Sequence, residues 1–312
     1  MWRKFAKRAL GVRQETDHIG DMITRPVRYA WQHVRYVPLW SLLTMSRWRS
    51  FETRSAALGR AVGGVMRWFP IARRRFNREV KRVFPEMTRH ERNCLRRRMG
   101  QNMGQTLFEI YHNAEFHTRQ DHFHVSGSGL AAIEAAQAAG KGAVIVSGHF
   151  GQWEAVRASL KARGIEVGAV YRRQSNRHYQ RRLLAGIEAG GLPIMETGRV
   201  GTKTLVRHLR SGGVVAILLD EKHPDGAKLP FLGHPALTSL AAAQLALKYD
   251  LPMVPAFGTR IGDGGDFAVD YEAPIAHSDA MTMTQAFNDS LSARIRERPD
   301  QWYWLLNRWQ GA

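Results

Sequence analysis

The sequence has one cysteine, Cys94, in 312 residues, and its histidines lack the spacing of metal ligands. A single cysteine cannot form an internal disulfide framework or a cysteine-rich zinc or iron–sulfur site. The run His-Glu-x-x-His does not occur, and His178, His223 and His234 stand apart in the chain. We therefore expect no metal site.

One short glycine motif resembles a dinucleotide-binding turn. Gly127-Ser-Gly-Leu-Ala-Ala132 has the spacing Gly-x-Gly-x-x-Ala. The preceding residues 122–125 are a poor candidate for a buried strand, and no acidic residue clearly ends a second strand about 20 positions later. We interpret the motif as a structural turn and predict no cofactor.

The sequence also has no apolar run of the roughly 18 residues that a spanning helix needs. The nearest run, residues 37–45, is short and is broken by Pro38, Ser41 and Thr44. The charged residues 1–8 resemble the start of a signal peptide, but no apolar core follows them. We expect attachment to a membrane from its cytoplasmic side rather than export or a spanning helix.

Acidic residues are scarce in the first third of the chain. Residues 1–100 carry 24 lysines and arginines against 7 aspartates and glutamates, whereas residues 101–312 carry 22 against 20. These cations alternate with large apolar residues such as Trp68 and Phe69, a pattern typical of a segment at an anionic membrane surface. A helical subdomain with a solvated basic face is the alternative, and an acidic protein partner would suit the same charge. Nucleic acid is not expected, because no nucleic-acid-binding motif accompanies the arginines.

From about residue 125 the sequence alternates between short β-branched runs and helical patterns. Such runs, apolar on both faces, favour the central strands of a mostly parallel sheet flanked by helices, so we predict an α/β fold. A basic, amphipathic, membrane-associating helical region is assigned to residues 1–115, and the α/β domain to residues 116–312. The predicted strands are 143–147, 167–171, 192–196, 214–220, 253–260 and 267–271. The predicted helices are 130–139, 152–162, 176–189, 202–209, 239–248, 282–298 and 301–308.

The most informative motif follows the first of these strands. His149 lies between Gly148 and Gly151, and Glu154 stands five residues after it. The two side chains can meet if His149 precedes a helix and Glu154 reaches back from its first turns. A neutral imidazole held by a carboxylate is a general base, and free amides at the helix start would stabilise an oxyanion. A histidine that only caps a helix is the alternative interpretation.

Four blocks, in order, resemble the secondary (late) acyltransferases of lipid A biosynthesis, within the lysophospholipid acyltransferase superfamily. The run His149-Phe-Gly-Gln-Trp-Glu154 is similar to their His-x4-Asp/Glu block. The resemblance extends from roughly residue 55 to residue 309. The other three blocks are Arg73–Asn77 with Val83–Glu86, Leu229–Thr238, and Pro299–Trp304 with Asn307–Trp309.

The resemblance implies an enzyme that transfers a fatty acyl chain from acyl carrier protein onto a hydroxyl of a lipid A precursor. It would be peripheral, on the cytoplasmic face of the inner membrane, in contact with anionic lipid. His149 would be the general base and Glu154 its orienting partner. Another membrane lipid as acceptor (a lysophospholipid, aminolipid or glycolipid) and a non-catalytic, basic membrane-binding protein are the alternatives. Substrate contacts are expected from Arg172, Arg173, Asp220, Lys228 and Thr238.

Several of these residues leave the interpretation open. Asp220 ends a predicted strand and could equally cap a turn. Thr238 precedes the helix predicted from residue 239 and is a candidate N-cap. Arg173 stands where the family usually has proline, and Asp220-Glu-Lys222 where it has Asp-Gln-Asp. These departures leave the choice among the acceptor lipids, and the length of the acyl chain, open.

Overall fold

The computed structural model describes Ser41 and residues 48–311. Most of the predicted membrane-surface segment that precedes residue 48 therefore lies outside the described residues. Among the helices that the structure describes, none combines the length and the apolar character needed to cross a membrane.

The described chain begins with a helical region whose boundaries follow from local sequence signals. Ser50 caps α1 by accepting a hydrogen bond from the amide of Thr53, and Pro70 occupies the first turn of α2, where no amide donor is required. Thr88 and Glu91 form a reciprocal capping box at the start of α3. The helices are α1 (Phe51–Trp68), α2 (Pro70–Val83), α3 (Arg89–Tyr111) and the short α4 (Asn113–His117).

Helices α1 and α3 cross at close range because glycines line the contact. A Cβ atom at Gly63 would lie 2.8 Å from the carbonyl oxygen of Arg97, and one at Gly104 would lie 2.9 Å from the Cα of Gly59. Real Cβ atoms do not approach backbone that closely, so larger residues would push the two helices apart. The glycines therefore set the geometry of the helical region.

The predicted mostly parallel sheet flanked by helices is confirmed. Seven strands pair in the order β1-β9-β8-β2-β5-β3-β4, with antiparallel pairing between β8 and β9 and parallel pairing between the other neighbours. The central strands are rich in Val and Ile, and β2 is buried along its whole length, as helices on each side require, whereas the last three residues of β5 are partly buried. The strands are β1 (Phe123–Ser126), β2 (Ala143–Ser147), β3 (Val167–Tyr171), β4 (Ile194–Glu196), β5 (Val214–Leu218), β8 (Met253–Ile261) and β9 (Asp266–Tyr271).

Helices connect these strands close to the predicted positions. The turn predicted at Gly127 joins β1 to the next helix. The helices are α5 (Gly129–Ala138), α6 (Glu154–Lys161), α7 (Arg177–Ala189), α8 (Arg199–Arg210), α9 (Ala241–Tyr249) and α10 (Ala280–Glu297).

Three elements differ from the prediction. Residues 122–125, a poor candidate for a buried strand, overlap the edge strand β1 (Phe123–Ser126), and a sheet edge tolerates this pattern because only one face needs to be apolar. Residues 227–238 form an antiparallel hairpin, β6 (Ala227–Phe231) and β7 (His234–Thr238), that the sequence pattern did not indicate. The helix predicted at 301–308 is wrong: after a 3-10 turn at Pro299–Gln301 the chain is irregular, and this allows Trp302 and Trp304, two residues apart, to be buried in the same cluster.

The helical region shares its core with the sheet. Phe76 and Val80 of α2, with Met99 of α3, pack in the same buried cluster as strand residues such as Val144 and Val215. Residues 302–309 close this cluster, with Trp302, Trp304 and Trp309 all buried. The C-terminal segment is therefore held over the carboxyl end of the sheet, where the site described next lies.

Candidate active site

The register of two neighbouring parallel strands brings His149 to Asp220. Ser147 at the end of β2 pairs with Leu218 at the end of β5, and the amide of Leu219 donates to the carbonyl of Ser147 at 2.8 Å. Each strand continues for two residues beyond that pair, to His149 and Asp220 respectively. Parallel, in-register strands thus deliver both side chains to the same point at the carboxyl edge of the sheet.

Asp220 holds the imidazole of His149 by two hydrogen bonds. The backbone amide of His149 donates to Oδ2 at 2.8 Å, and ring Nδ1 donates to Oδ1 at 2.9 Å. The indole Nε1 of Trp302 donates to Oδ2, also at 2.8 Å. Because Asp220 is fully buried and ionised carboxylates only accept, these three donors fix both its position and the Nδ1–H tautomer of the ring. Ring Nε2 is then the acceptor nitrogen of an imidazole whose side chain is 19% exposed.

The charge balance at this pair favours a basic imidazole. Burial by itself would lower the pKa of His149, but the charge and hydrogen bond of Asp220, with a smaller contribution from Glu221, outweigh it and raise the pKa above the usual 6.5. Burial in turn opposes ionisation of Asp220, yet its contacts with His149 and Trp302 keep its pKa below the usual 3.8. Asp220 is therefore an ionised, fixed partner, and His149 is a stronger base than a free histidine.

The expected contact between Glu154 and His149 is corrected. Glu154 opens α6 and is buried, where both carboxylate oxygens accept from Nη1 of Arg157, at 3.1 and 2.8 Å, and one accepts from the side chain of Asn113 at 3.0 Å. Residues three positions apart on a helix lie on the same face, so the side chain of Glu154 points toward Arg157 and away from the turn that contains His149. The carboxylate that holds the imidazole comes instead from 71 residues further along the chain.

The amides of the glycine turn are not free either. The amide of Phe150 donates to the carbonyl of Gly148, that of Gly151 to Gln301, and that of Gln152 to Gly258. Gly151 has φ of +56°, and a Cβ there would overlap the carbonyl oxygen of Gly258, so only glycine fits. The turn therefore anchors His149 against β8 and the C-terminal segment. These three amides are therefore engaged, and at the start of α6 the amide of Glu154 donates to Oε1 of Gln152 at 3.1 Å. The oxyanion contact expected from the helix start stays a prediction.

A largely apolar cavity of about 250 Å³ opens beside the imidazole. It lies between the sheet and helices α6 and α7. Both His149 and Glu154 border it, although they are not hydrogen-bonded to each other. The apolar wall suits a hydrocarbon chain, and the polar groups sit around the imidazole and on the Glu154–Arg157 side. The apolar residues that line it are Ile110, Ile145, Trp153, Val156, Ala169, Val170, Leu183, Ile187, Ala216, Ile217 and Leu218.

The other predicted substrate residues divide into two groups. Arg172 borders the cavity and is paired with Glu221 at 2.6 Å, with its side chain 68% exposed. Arg173 and Lys228 are exposed and are not among the residues that line the cavity in the described part of the chain.

Thr238 has a structural role that differs from the predicted helix cap. It is buried at the end of β7, where its hydroxyl donates to the carbonyl of Ala236 and accepts from Nη2 of Arg308 at 2.5 Å. The N-cap of the following helix is Leu240, and the hydroxyl of Ser239 accepts from the amide of Ala241 at 3.3 Å. The N-cap interpretation of Thr238 is therefore wrong, and the hydroxyl serves to fix the C-terminal segment.

Two residues of the site were not identified from the sequence. Trp302 belongs to the fourth matched block, but its contact with Asp220 spans 82 residues and has no local signal. Ser147 is buried, borders the cavity, and its hydroxyl has no hydrogen-bond partner among the described residues. The position of Ser147 at the end of a predicted strand was the sequence signal that could have identified it. No group of three or more metal-ligating side chains occurs within residues 48–311 or at Ser41.

Comparison with known proteins places the chain in a family. The family model described as bacterial lipid A biosynthesis acyltransferase matches residues 24–311. A phosphatidylinositol mannoside acyltransferase of Mycobacterium tuberculosis (strain CDC 1551 / Oshkosh) is 28% identical over 187 residues, which are 58% of each chain. A protein of the same name from Mycolicibacterium smegmatis is 25% identical over 175 residues, 55% of this chain and 58% of the relative. These matches span less than two thirds of the relatives' length. Since the family model covers most of the sequence, the protein belongs to the bacterial lipid A biosynthesis acyltransferase family.

Proposed function

We propose that the protein is an O-acyltransferase that moves a fatty acyl chain from a carrier thioester to a hydroxyl of a lipid A precursor. The observation that carries this proposal is the His149–Asp220 pair beside an apolar cavity. A histidine that has a raised pKa, an unprotonated Nε2 and a place at the cavity is suited to remove a proton from a hydroxyl. The adjoining cavity is suited to an acyl chain.

The residues suggest the following sequence of bond changes. Nε2 of His149 accepts the proton of the acceptor hydroxyl as its oxygen attacks the thioester carbonyl carbon. The tetrahedral intermediate collapses with cleavage of the carbon–sulfur bond, and the departing thiolate takes the proton from the imidazolium. Asp220 stays ionised and stabilises the imidazolium, as the acid of a catalytic triad does. The hydroxyl of Ser147, which has no partner among the described residues, is our candidate donor to the oxyanion, since the amides of Phe150, Gly151 and Gln152 are engaged.

Acyl carrier protein is the proposed donor. It is acidic, and the helical region is strongly basic, so charge would steer the two together. Coenzyme A thioesters present the same reactive group, so the donor has to be tested directly.

A second acceptor class is favoured by the curated relatives. They are named phosphatidylinositol mannoside acyltransferases, so a hydroxyl of a glycosylated phospholipid is an alternative to lipid A for this chain. In either case Arg172, exposed at the rim of the cavity, is the proposed contact for a phosphate of the acceptor.

Peripheral attachment to the cytoplasmic face of the inner membrane completes the proposal. Large apolar side chains of the helical region are exposed beside its arginines, among them Trp68, Phe69 and Ile71, at 77%, 57% and 69% exposure. Such a mixture is suited to the boundary between lipid headgroups and acyl chains.

The test uses the full-length protein with lipid A precursor or phosphatidylinositol mannoside as acceptor, and acyl carrier protein or coenzyme A thioesters as donor. We expect transfer from the carrier-protein thioester to a lipid A precursor, and a loss of at least about 100-fold in His149→Ala. His124→Ala, which removes an exposed histidine from β1, is the matched control and should retain full activity. Transfer undiminished in His149→Ala would refute the assigned base. Mass spectrometry of lipid A from a deletion strain would show which acyl group is lost.

A further inference from the structure

A second cavity lies in the helical region, between α1, α2 and α3. Its volume is about 1110 Å³, and it shares no lining residue with the cavity at His149. In the described part of the chain no aspartate or glutamate lines it. Its cationic lining residues are Arg67, Arg73, Arg74, Arg78, Lys81, Arg89, Arg92, Arg96 and Arg97.

Arg96 distinguishes this cavity from an ordinary basic surface. Arg96 is only 3% exposed, yet its Nε and Nη1 have no hydrogen-bond partner among the described residues. Burial, with the nearby charges of Arg73 and Arg67, lowers the pKa of Arg96. The buried Oδ1 of Asn77, on the facing helix α2, likewise has no hydrogen-bond partner within the described part of the chain. A buried guanidinium surrounded by like charges is costly to the fold unless an anion compensates it.

We propose that this cavity binds the phosphate group of an anionic lipid, with Arg96 as the buried anchor. A guanidinium with two unpaired donors matches phosphate oxygens, and a phosphomonoester brings a charge of about −1.5 to −2 at pH 7. Several cations around one site favour a multiply charged group over a carboxylate. The surrounding arginines then serve as secondary contacts.

The exposed apolar residues at the same end of the region favour a lipid over a free anion. Val65, Trp68, Phe69 and Ile71 lie at the junction of α1 and α2 and are all more than half exposed. Trp68 itself lines the cavity, with the guanidinium of Arg67 5.5 Å from its ring centre. A headgroup phosphate held at Arg96 would place the adjoining acyl chains next to these side chains.

Binding to vesicles tests the proposal without any need for catalysis. The full-length protein is titrated with vesicles of phosphatidylcholine containing phosphatidic acid, or phosphatidylglycerol at matched surface charge. We expect tighter binding to phosphatidic acid, because its phosphomonoester carries more charge per headgroup. Arg96→Gln should weaken that binding about tenfold, the effect of losing charge-assisted hydrogen bonds. Equal affinity for the two lipids would overturn the proposal.

Arg98→Gln is the matched control, because it removes the same charge from an exposed position of the same helix outside this cavity. Its binding should stay within about twofold of wild type. Equal weakening in the two variants would show a general electrostatic effect and overturn the site. If Arg96→Gln fails to fold, Arg73→Gln takes its place, because Arg73 is exposed and lines the cavity. Its binding is then compared with that of Arg98→Gln in the same way.

Thermal unfolding gives a readout that a purely structural arginine would not produce. Arg96→Met keeps most of the side-chain volume and removes the uncompensated charge, so its melting temperature without ligand should be higher than that of wild type. Phosphatidic acid vesicles should stabilise wild type but not this variant. A lower melting temperature for Arg96→Met would contradict the proposal. Inorganic pyrophosphate stabilising wild type as strongly as the vesicles would assign the cavity to a soluble anion instead.

Discussion

Asp220 accepts hydrogen bonds from both the backbone amide and the ring Nδ1 of His149, at 2.8 and 2.9 Å. The two residues are 71 positions apart, and each follows the end of one of two paired parallel strands. The sheet register therefore builds the pair, and the local sequence around His149 does not contain its partner. This arrangement leads to the first two predictions.

Asp220→Asn should lower the rate of acyl transfer about 10²- to 10⁴-fold with little change in fold. In the asparagine side chain the one oxygen would still accept hydrogen bonds from the amide of His149 and from Trp302. The new NH₂ group would then take the position of Oδ1 and face Nδ1 of His149. Nδ1 would then have to be the unprotonated nitrogen, so Nε2 could no longer accept a proton. Steady-state kinetics of the purified variant measures the loss. Asp225→Asn, an exposed residue of the same loop, is the control and should behave as wild type.

The pH dependence of kcat/KM should reveal the raised pKa of His149. As a general base it works when neutral, so activity should fall as the pH drops through a value above 6.5. In Asp220→Asn the imidazole of His149 stays buried but loses the nearby carboxylate, so its pKa should fall below 6.5. The acidic limb of the residual activity should move to lower pH with it. A limb that stays at the same pH in the variant would mean that another group titrates.

Glu154→Gln should mainly change stability, because the carboxylate is buried against Arg157 at 2.8 Å. Removing one partner of a buried ion pair typically costs about 3–5 kcal/mol. Urea unfolding measures the change. Glu134→Gln, which breaks a surface contact with Arg163 at 3.8 Å, is the matched control and should cost at most about 1 kcal/mol. If Glu154→Gln abolished acyl transfer without changing the free energy of unfolding, Glu154 would have a direct catalytic role.

Adjacent glycines of α1 should respond to alanine in opposite directions. A Cβ at Gly63 would meet the backbone of α3 at 2.8 Å, so Gly63→Ala should destabilise the fold by about 1–3 kcal/mol. A Cβ at Gly64 would have no neighbouring atom within 4 Å, so Gly64→Ala should stabilise by about 0.5–1 kcal/mol through helix propensity. The unfolding midpoints of the two variants check the close helix crossing. Equal effects would contradict it.

His117 should make the fold sensitive to acid. Burial lowers the pKa of His117 to about 3, and neither ring nitrogen has a partner among the described residues. The unfolded chain binds a proton near pH 6.5 and the folded chain only near pH 3. The free energy of unfolding should therefore fall between these values as the pH drops. His117→Leu should flatten that part of the stability curve measured by denaturant titration. A curve identical to wild type would show that His117 does not contribute.

Much of the sheet could be predicted because its central strands are continuous apolar runs. Short runs such as residues 143–147 and 214–218 then leave little alternative to parallel strands between helices. The edge strand β1 and the hairpin of residues 227–238 were missed, since strands with one exposed face give a weaker pattern. The helix predicted at 301–308 failed because Trp302, Trp304 and Trp309 all pack in one core cluster. Residues separated by two and five positions would not share one face of a helix.

By itself the sequence determined the α/β class, the family resemblance, the placement of positive charge and the importance of His149. These depend on composition, on local periodicity and on motifs whose residues are close in the chain. Only the tertiary structure decided that Asp220 holds the imidazole, that Glu154 pairs with Arg157, and that Arg96 is buried without a partner among the described residues. Each of these depends on how separate strands and helices are aligned in space, and pairing between distant segments leaves no periodic pattern in the sequence.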